Sequence, residues 1–153
     1  MNRLIMALAT GFYVGKIGKA PGTWGSLAAF VPWLFIKDLP LPMYALTLGG
    51  VFVLGFFVSG SAEKILDRPD AGCIVIDEFL GMFVTLIAAP PHPLAWVLGF
   101  LLFRLFDIGK PFPVSWFDQN IHGGIGIMMD DVIAGLYGFL TLQMIWWGCG
   151  LFL

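Results

Sequence analysis

Residues 39–61 read LPLPMYALTLGGVFVLGFFVSGS and carry no charged side chain over 23 positions. A second stretch, residues 132–153, runs for 22 positions without a charge. A helix needs about 20 apolar residues to cross the hydrocarbon core of a bilayer. Both stretches are therefore predicted to be membrane-spanning helices, and they decide the class of fold.

The composition of the whole chain agrees with a membrane protein. Of its 153 residues, 59% are hydrophobic, 20 more are glycine and only 12% are charged. The mean hydropathy is +0.90. A soluble domain of this length leaves too much of its surface exposed to hide so many apolar side chains. This excludes a cytosolic enzyme and a disordered tail, and a net charge of −2 excludes a nucleic-acid binder.

Three shorter apolar stretches, residues 26–36, 79–89 and 94–103, complete the predicted bundle. Each is too short to span a bilayer by itself. If each helix continues into the charged motif beside it, it reaches about 14–17 residues, or roughly 21–25 Å. We therefore predict an all-α polytopic bundle of about four to five membrane-embedded helices. Because no targeting segment or linker-like break is present, residues 1–153 are expected to form one integral membrane domain.

The basic residues give this bundle an orientation. If the N-terminus is cytoplasmic and the five segments alternate in direction, seven of the eight basic residues fall on the cytoplasmic side. Lys37 alone falls on the other side, together with the proline turn that contains His92. This distribution is what the positive-inside rule expects of a cytoplasmic face.

Nearly all other polar residues gather on the same predicted side, in four clusters. They read KAPGTWGS at 19–26, IVIDE at 74–78, RLFDIGKP at 104–111 and GGIGIMMDD at 123–131. Each cluster adjoins the cytoplasmic end of a different predicted helix. The sequence therefore predicts that the four clusters converge on one site at that membrane face.

The carboxylates of these clusters are the first candidates for chemistry: Asp77, Glu78, Asp107, Asp130 and Asp131. Ionisable groups beside membrane segments cost free energy because they are partly removed from water, so they are functional candidates by default. Carboxylates packed together need a compensating cation, and a ligand set made only of oxygens suits Mg²⁺, Mn²⁺ or Ca²⁺. We predict Glu78, Asp107 and Asp131 as metal ligands. Asp77 and Asp130 either assist them or cap the N-termini of helices.

Two groups of residues are candidates for binding a phosphate. The glycine-bearing turn at 22–26 offers the hydroxyls of Thr23 and Ser26 near a helix N-terminus, where an anion is favoured, although an ordinary N-cap has the same pattern. Arg104 and Lys110 flank the aspartate of the third cluster. They form either a phosphate clamp or, in the case of Arg104, a helix salt bridge or headgroup anchor.

The remaining candidates have simpler interpretations. The glycines at 123–126 suggest a flexible turn or a second place where phosphate approaches the backbone. His122 is either an accessory group or a bystander. Cys73 and Cys149 have no Cys-x-x-Cys spacing and are predicted to be buried small hydrophobes. The charges between 64 and 70 are expected to belong to a solvated loop.

Taken together and in order, the four clusters resemble the phosphatidylglycerophosphatase A family. Its motifs are a GT-x-GS turn, an IVIDE-type segment, R-x-FD-x-x-KP-x-P and GG-x-G-x-M-x-DD-x-x-AG, and they fall here at 22–26, 74–78, 104–113 and 123–135. The resemblance extends from about residue 10 to residue 140. It implies a Mg²⁺-dependent phosphatase of the bacterial inner membrane that hydrolyses phosphatidylglycerophosphate, presented within the bilayer, to phosphatidylglycerol and phosphate.

For such a reaction, our hypothesis is metal-assisted hydrolysis in which all five carboxylates are catalytic. The phosphate is then bound by Thr23, Ser26, Arg104 and Lys110. Two other functions predict different sequence patterns. A nucleotide-alcohol phosphotransferase would show regularly spaced aspartates on one helix, which are missing here. An ion-coupled transporter or channel would place charges near the bilayer midplane and often contains repeats. This chain has no repeat, and its charges lie at one end.

Overall fold

The computed structural model describes residues 1–148, in which every regular element is helical. This confirms the predicted all-α class for the described part of the chain. The helices are α1 (Asn2–Ala9), α2 (Pro21–Ala28), α3 (Phe30–Ile36), α4 (Leu41–Leu66), α5 (Ile76–Thr85), α6 (Pro93–Gly109), α7 (Val114–Asn120) and α8 (Gly123–Gly148), with a 3₁₀ turn at Val14–Lys16. Cys149 and the end of the predicted second span, 149–153, lie outside the described residues.

Helices α4 and α8 are each long and apolar enough to cross a membrane. Each has 26 residues, which gives a length of about 39 Å against a hydrocarbon core of about 30 Å. Helix α4 matches the predicted stretch 39–61 and continues to Leu66. Helix α8 begins at Gly123, well before the predicted start at Val132, because the acidic pair at 130–131 is turned toward the protein and does not interrupt the helix.

The three shorter stretches form helices of different lengths. Helix α6 does continue into its charged motif and has 17 residues, the upper end of the predicted range. Helix α5 has only 10 residues and is too short to span a bilayer. The predicted helix at 26–36 is replaced by α2 and α3, which meet at Ala29. Within residues 1–148, α4 and α8 are thus the two candidate spans.

Small residues let α8 lie very close to its neighbours. A Cβ atom at Gly135 would lie 2.6 Å from the backbone oxygen of Gly81, and one at Gly138 would lie 2.9 Å from the side chain of Thr85. The hydroxyl of Thr85 is within hydrogen-bond distance of the carbonyl oxygens of Gly81 and Gly135, at 2.9 and 3.3 Å. Helices in lipid associate through such close backbone approaches. Helix α5 is therefore fixed against the middle of α8.

The two ends of the bundle differ in chemistry. At one end, Gln143 of α8 donates hydrogen bonds to the carbonyl oxygens of Ile87 and Ala88, and the ring of His92 lies against Trp146. The opposite end, called here the polar end, contains the starts of α2, α5 and α8 and the ends of α4 and α6. Because these five helix ends meet, residues far apart in the sequence share one site.

Candidate active site

A cavity of about 210 Å³ lies at the polar end. Its wall is formed by the ends of α4 and α6, the loop before α5, the starts of α5 and α8, and α7. The charged residues in this wall are Glu63, Asp70, Asp77, Glu78, Asp107, Lys110, Asp118, Asp130 and Asp131. All five carboxylates predicted from the sequence therefore reach one cavity, together with Lys110.

Arg104 lies behind the cavity and joins two of its carboxylates. The Nη1 atom of Arg104 is 2.6 Å from Glu78 Oε2 and 2.6 Å from Asp107 Oδ2. All three side chains are at most 14% exposed. The helix salt bridge considered for Arg104 thus forms, but it also extends to a second helix. Breaking a buried pair of this kind leaves an uncompensated charge, so the three side chains are held as a unit.

Helix α2 supports this unit from the side. The hydroxyl of Ser26 is fully buried and lies 2.8 Å from both Glu78 Oε2 and the carbonyl oxygen of Gly22. Because the hydroxyl has one proton, it donates to one of these oxygens at a time. A Cβ atom at Gly22 would collide with Glu78 Oε1. Thr23 is half-buried in the first turn of α2 and is not part of the cavity wall.

The prediction of a glycine turn at 22–26 is wrong, because the backbone of these residues is already helical and belongs to α2. The left-handed residue before the helix is Ala20, with φ 56°. The glycines serve close approach instead, since a Cβ atom at Gly25 would lie 2.7 Å from the side chain of Val75. The same holds at 123–126, where Gly124 packs against the carbonyl oxygen of Phe56 in α4. The expected flexible turn there is the first turn of α8.

Lys110 is the second cation of the site and follows directly after α6. Its Nζ atom donates to Asp118 Oδ1 and, at 2.9 Å, to Asp130 Oδ2. Partial burial lowers the pKa of Lys110, but the hydrogen bonds and ion pairs with the two carboxylates outweigh this effect. The net result is a pKa above the ordinary value for lysine, so the ammonium is charged at neutral pH.

The two acidic pairs repeat one local arrangement. Asp77 Oδ1 accepts a hydrogen bond from the backbone N–H of Glu78 at 3.0 Å, and Asp130 Oδ1 accepts one from the N–H of Asp131 at 3.0 Å. Neither aspartate caps a helix: the N-cap of α5 is Val75, and residue 130 lies inside α8. Asp131 Oδ2 is buried without a hydrogen-bond partner.

The cavity carries more negative than positive charge. Burial raises the pKa of Asp77 well above its ordinary value, and repulsion from Glu78 and Asp130 raises it further. Burial and repulsion from Asp107 also raise the pKa of Glu78, although Arg104 acts in the opposite direction. The wall contains eight carboxylates, whereas Lys110 lines the cavity and Arg104 lies behind it as the two cations of the site. Such a group of carboxylates favours the uptake of a further cation.

No three acidic, histidine or cysteine side chains within residues 1–148 are close enough together to hold a metal ion by themselves. Glu78 and Asp107, two of the predicted ligands, are instead paired through Arg104. The donor chemistry nevertheless fits Mg²⁺, which is held by one or two carboxylates and keeps waters or phosphate oxygens at its other positions. The unpartnered Oδ2 of Asp131 supplies one free oxygen of this kind.

Sequence reasoning missed Asp118 and Glu63 and assigned Asp70 to a solvated loop. Asp70 is exposed, as expected, but its N–H donates to Glu63 Oε1 at 2.7 Å and both residues line the cavity. His122 also lines it. Asp118 lies in the short helix α7, between the third and fourth motifs, and no sequence pattern marked it. Cys73 is half-buried with a free thiol.

The fold and the site define an all-helical protein with two candidate membrane spans and an acidic cavity that also contains the ammonium of Lys110. The profile of the family described as PgpA, phosphatidylglycerophosphatase A, matches residues 7–146. The chain belongs to this family. Its activity is that of a phosphoric monoester hydrolase that dephosphorylates phosphatidylglycerophosphate to phosphatidylglycerol.

Three relatives illustrate the similarity. The chain is 44% identical over 130 residues to phosphatidylglycerophosphatase A of Escherichia coli. The aligned region covers 84% of this chain and 76% of that protein. It is 40% identical over 140 residues to the Haemophilus influenzae protein of the same name, covering 90% and 86%. It is 37% identical over 156 residues to a Bacteroides thetaiotaomicron protein with the provisional name phosphatidylinositol-3-phosphatase, covering 96% of both. No solved structure matches the chain.

Proposed function

We propose that the cavity at the polar end is the site where the terminal phosphomonoester of phosphatidylglycerophosphate is hydrolysed, in a reaction that depends on Mg²⁺. One observation carries this proposal: Lys110, Asp107 and both acidic pairs line a single cavity at the ends of two candidate spans. Substrate that diffuses in the bilayer reaches this cavity with its headgroup while its acyl chains stay in lipid.

Asp131 is the best-supported ligand for Mg²⁺, because its Oδ2 atom is buried and unpartnered. Glu78 and Asp107 become further ligands if one oxygen of each carboxylate is released from its ion pair with Arg104 and turns toward the metal. Bound Mg²⁺ would withdraw charge from the phosphate oxygens and activate a water. The family resemblance and the charge excess of the cavity support this assignment.

The chain's own residues then have separate tasks. Lys110 binds the phosphate as a point charge at the cavity wall. Arg104 holds Glu78 and Asp107 in place, and Ser26 acts through Glu78 rather than by touching the phosphate. Thr23 remains a predicted phosphate ligand. One cavity carboxylate orients or deprotonates the attacking water, or attacks the phosphorus itself.

We further propose that the polar end faces the cytoplasm from a bacterial inner membrane. Seven of the eight basic residues of the chain fall on the side assigned to this end, as the positive-inside rule expects. The remaining one, Lys37, pairs with Asp38 in the turn between α3 and α4. The phosphate product is then released into the cytoplasm.

The test is phosphate release by purified protein from phosphatidylglycerophosphate in mixed micelles, with Mg²⁺ and with EDTA. We expect activity only with Mg²⁺ and a loss of about 100-fold or more in Asp107→Asn. Asp38→Asn, which removes an exposed aspartate remote from the cavity, is the matched control and should keep full activity. Full activity in EDTA or in Asp107→Asn would contradict the proposal.

Two further arms separate the alternatives. Phosphatidylinositol 3-phosphate is offered at the same mole fraction, because one relative carries a name with that substrate. We expect a lower kcat/KM for it than for phosphatidylglycerophosphate, and the reverse order would reassign the substrate. Solute flux through proteoliposomes without phosphate release would favour the transporter or channel.

A further inference from the structure

We propose that Asp118 is a positioning residue for phosphate hydrolysis and that it acts by holding the Lys110 ammonium at the cavity wall. This inference rests on the proposed function of the cavity. Asp118 belongs to none of the four motifs, and its role follows from geometry alone. Its carboxylate accepts a hydrogen bond from Lys110 Nζ, and both residues line the cavity.

The position of Lys110 in the chain explains why it needs such a partner. Helix α6 ends at Gly109, and Lys110 follows in a left-handed conformation, with φ 40°. Its ammonium stands on a flexible four-carbon stem with three donors and no rigid geometry of its own. Two carboxylates from different helices, Asp118 of α7 and Asp130 of α8, fix it from two sides.

The two anchors are not equivalent. The side chain of Asp130 is 13% exposed, whereas that of Asp118 is 32% exposed, similar to the 31% of Lys110 itself. Asp118 therefore holds the ammonium toward the open side of the cavity, and Asp130 draws it inward. Without Asp118 the ammonium pairs with Asp130 alone and moves away from the place where a phosphate enters. An ion pair whose side chains are about one-third exposed contributes little to the free energy of folding. Loss of Asp118 should therefore weaken the binding of the phosphate more than it destabilises the protein.

The expected result for Asp118→Asn is a rise in KM for phosphatidylglycerophosphate of about tenfold, since hydrogen bonds to charged groups carry an effect of that size. The kcat and the midpoint of thermal unfolding should change little. Asp118→Glu should recover most of the lost affinity, because it restores a carboxylate. Asp38→Asn breaks the Lys37 ion pair at a distance from the cavity and serves as the matched control.

A double-mutant cycle distinguishes action through Lys110 from a general structural effect. If the inference is right, Asp118→Asn has no further effect on KM in a Lys110→Met background. Independent, multiplying effects of the two changes would overturn it, as would a wild-type KM in Asp118→Asn. If Lys110→Met and Asp107→Asn both retain full activity, the proposed function of the cavity fails, and the inference fails with it.

Discussion

Replacing Gly22 with alanine tests whether helix α2 controls the carboxylate that it touches. A Cβ atom at this position would overlap Glu78 Oε1 and lie 3.0 Å from Arg104 Nη1. Glu78 cannot simply rotate away, because its other oxygen is held by Ser26 at 2.8 Å and by Arg104 at 2.6 Å. The added methyl group must therefore displace Glu78 together with Arg104.

The magnitude follows from two opposing effects. Alanine is favoured over glycine within a helix by about 1 kcal/mol. Forcing an extra methyl group into a packed site costs about 1–3 kcal/mol. The free energy of unfolding should therefore change by no more than about 2 kcal/mol. A displacement of about 1 Å at a reacting group lowers the rate by roughly 100-fold, so kcat for phosphate release should fall far more than stability does.

Gly49→Ala is the matched control, because residue 49 lies inside α4 and no atom lies within 4 Å of its added Cβ. That variant should keep the wild-type kcat and gain up to about 1 kcal/mol of stability. Phosphate release in mixed micelles and thermal unfolding in the same detergent provide the two measurements. A Gly22→Ala variant with wild-type kcat would refute the link between α2 and Glu78.

Three further changes separate stability from activity. Arg104→Met leaves two buried carboxylates without their cation and should lower the free energy of unfolding by about 3–5 kcal/mol, measured by thermal or denaturant unfolding; a loss below about 1 kcal/mol would contradict the described ion pairs. Asp131→Asn should keep the fold but raise the Mg²⁺ concentration for half-maximal activity by about 10–100-fold, and an unchanged Mg²⁺ titration would remove this residue from the ligands. Gln143→Leu, at the opposite end from the cavity, should cost about 1 kcal/mol of stability without changing kcat, and a loss of activity would show that the far end is coupled to the site.

The helical class and the longer spans follow from the sequence because long uncharged stretches have few alternatives in a bilayer. The start of α8 does not follow in the same way. Asp130 and Asp131 mark the end of an apolar run, but they are accommodated inside the helix because they face other parts of the protein. The first charged residues beside an apolar run show where the helix surface stops facing lipid. They do not show where the helix itself ends.

The sequence predicted those residues of the candidate site that belong to recognisable motifs. It did not predict the features that depend on contacts between distant parts of the chain. Residue types and spacing identified Lys110 and the two acidic pairs. They did not reveal that Arg104 is enclosed by two carboxylates, nor that the glycines at 22 and 25 allow close packing rather than a turn. Asp118 was missed because an aspartate within a short helix has no distinctive pattern until Lys110 is seen beside it.

Each cation of the site already has two carboxylate partners before any substrate arrives. At the proposed site, an incoming phosphate would have to compete with these internal anions for Arg104 and Lys110. The phosphate product would meet the same competition before it leaves. The carboxylates of the site can thus take the place of a bound phosphate on the two cations. If the cavity is the site of hydrolysis, as proposed, this arrangement disfavours tight retention of inorganic phosphate and favours its release before the next lipid binds.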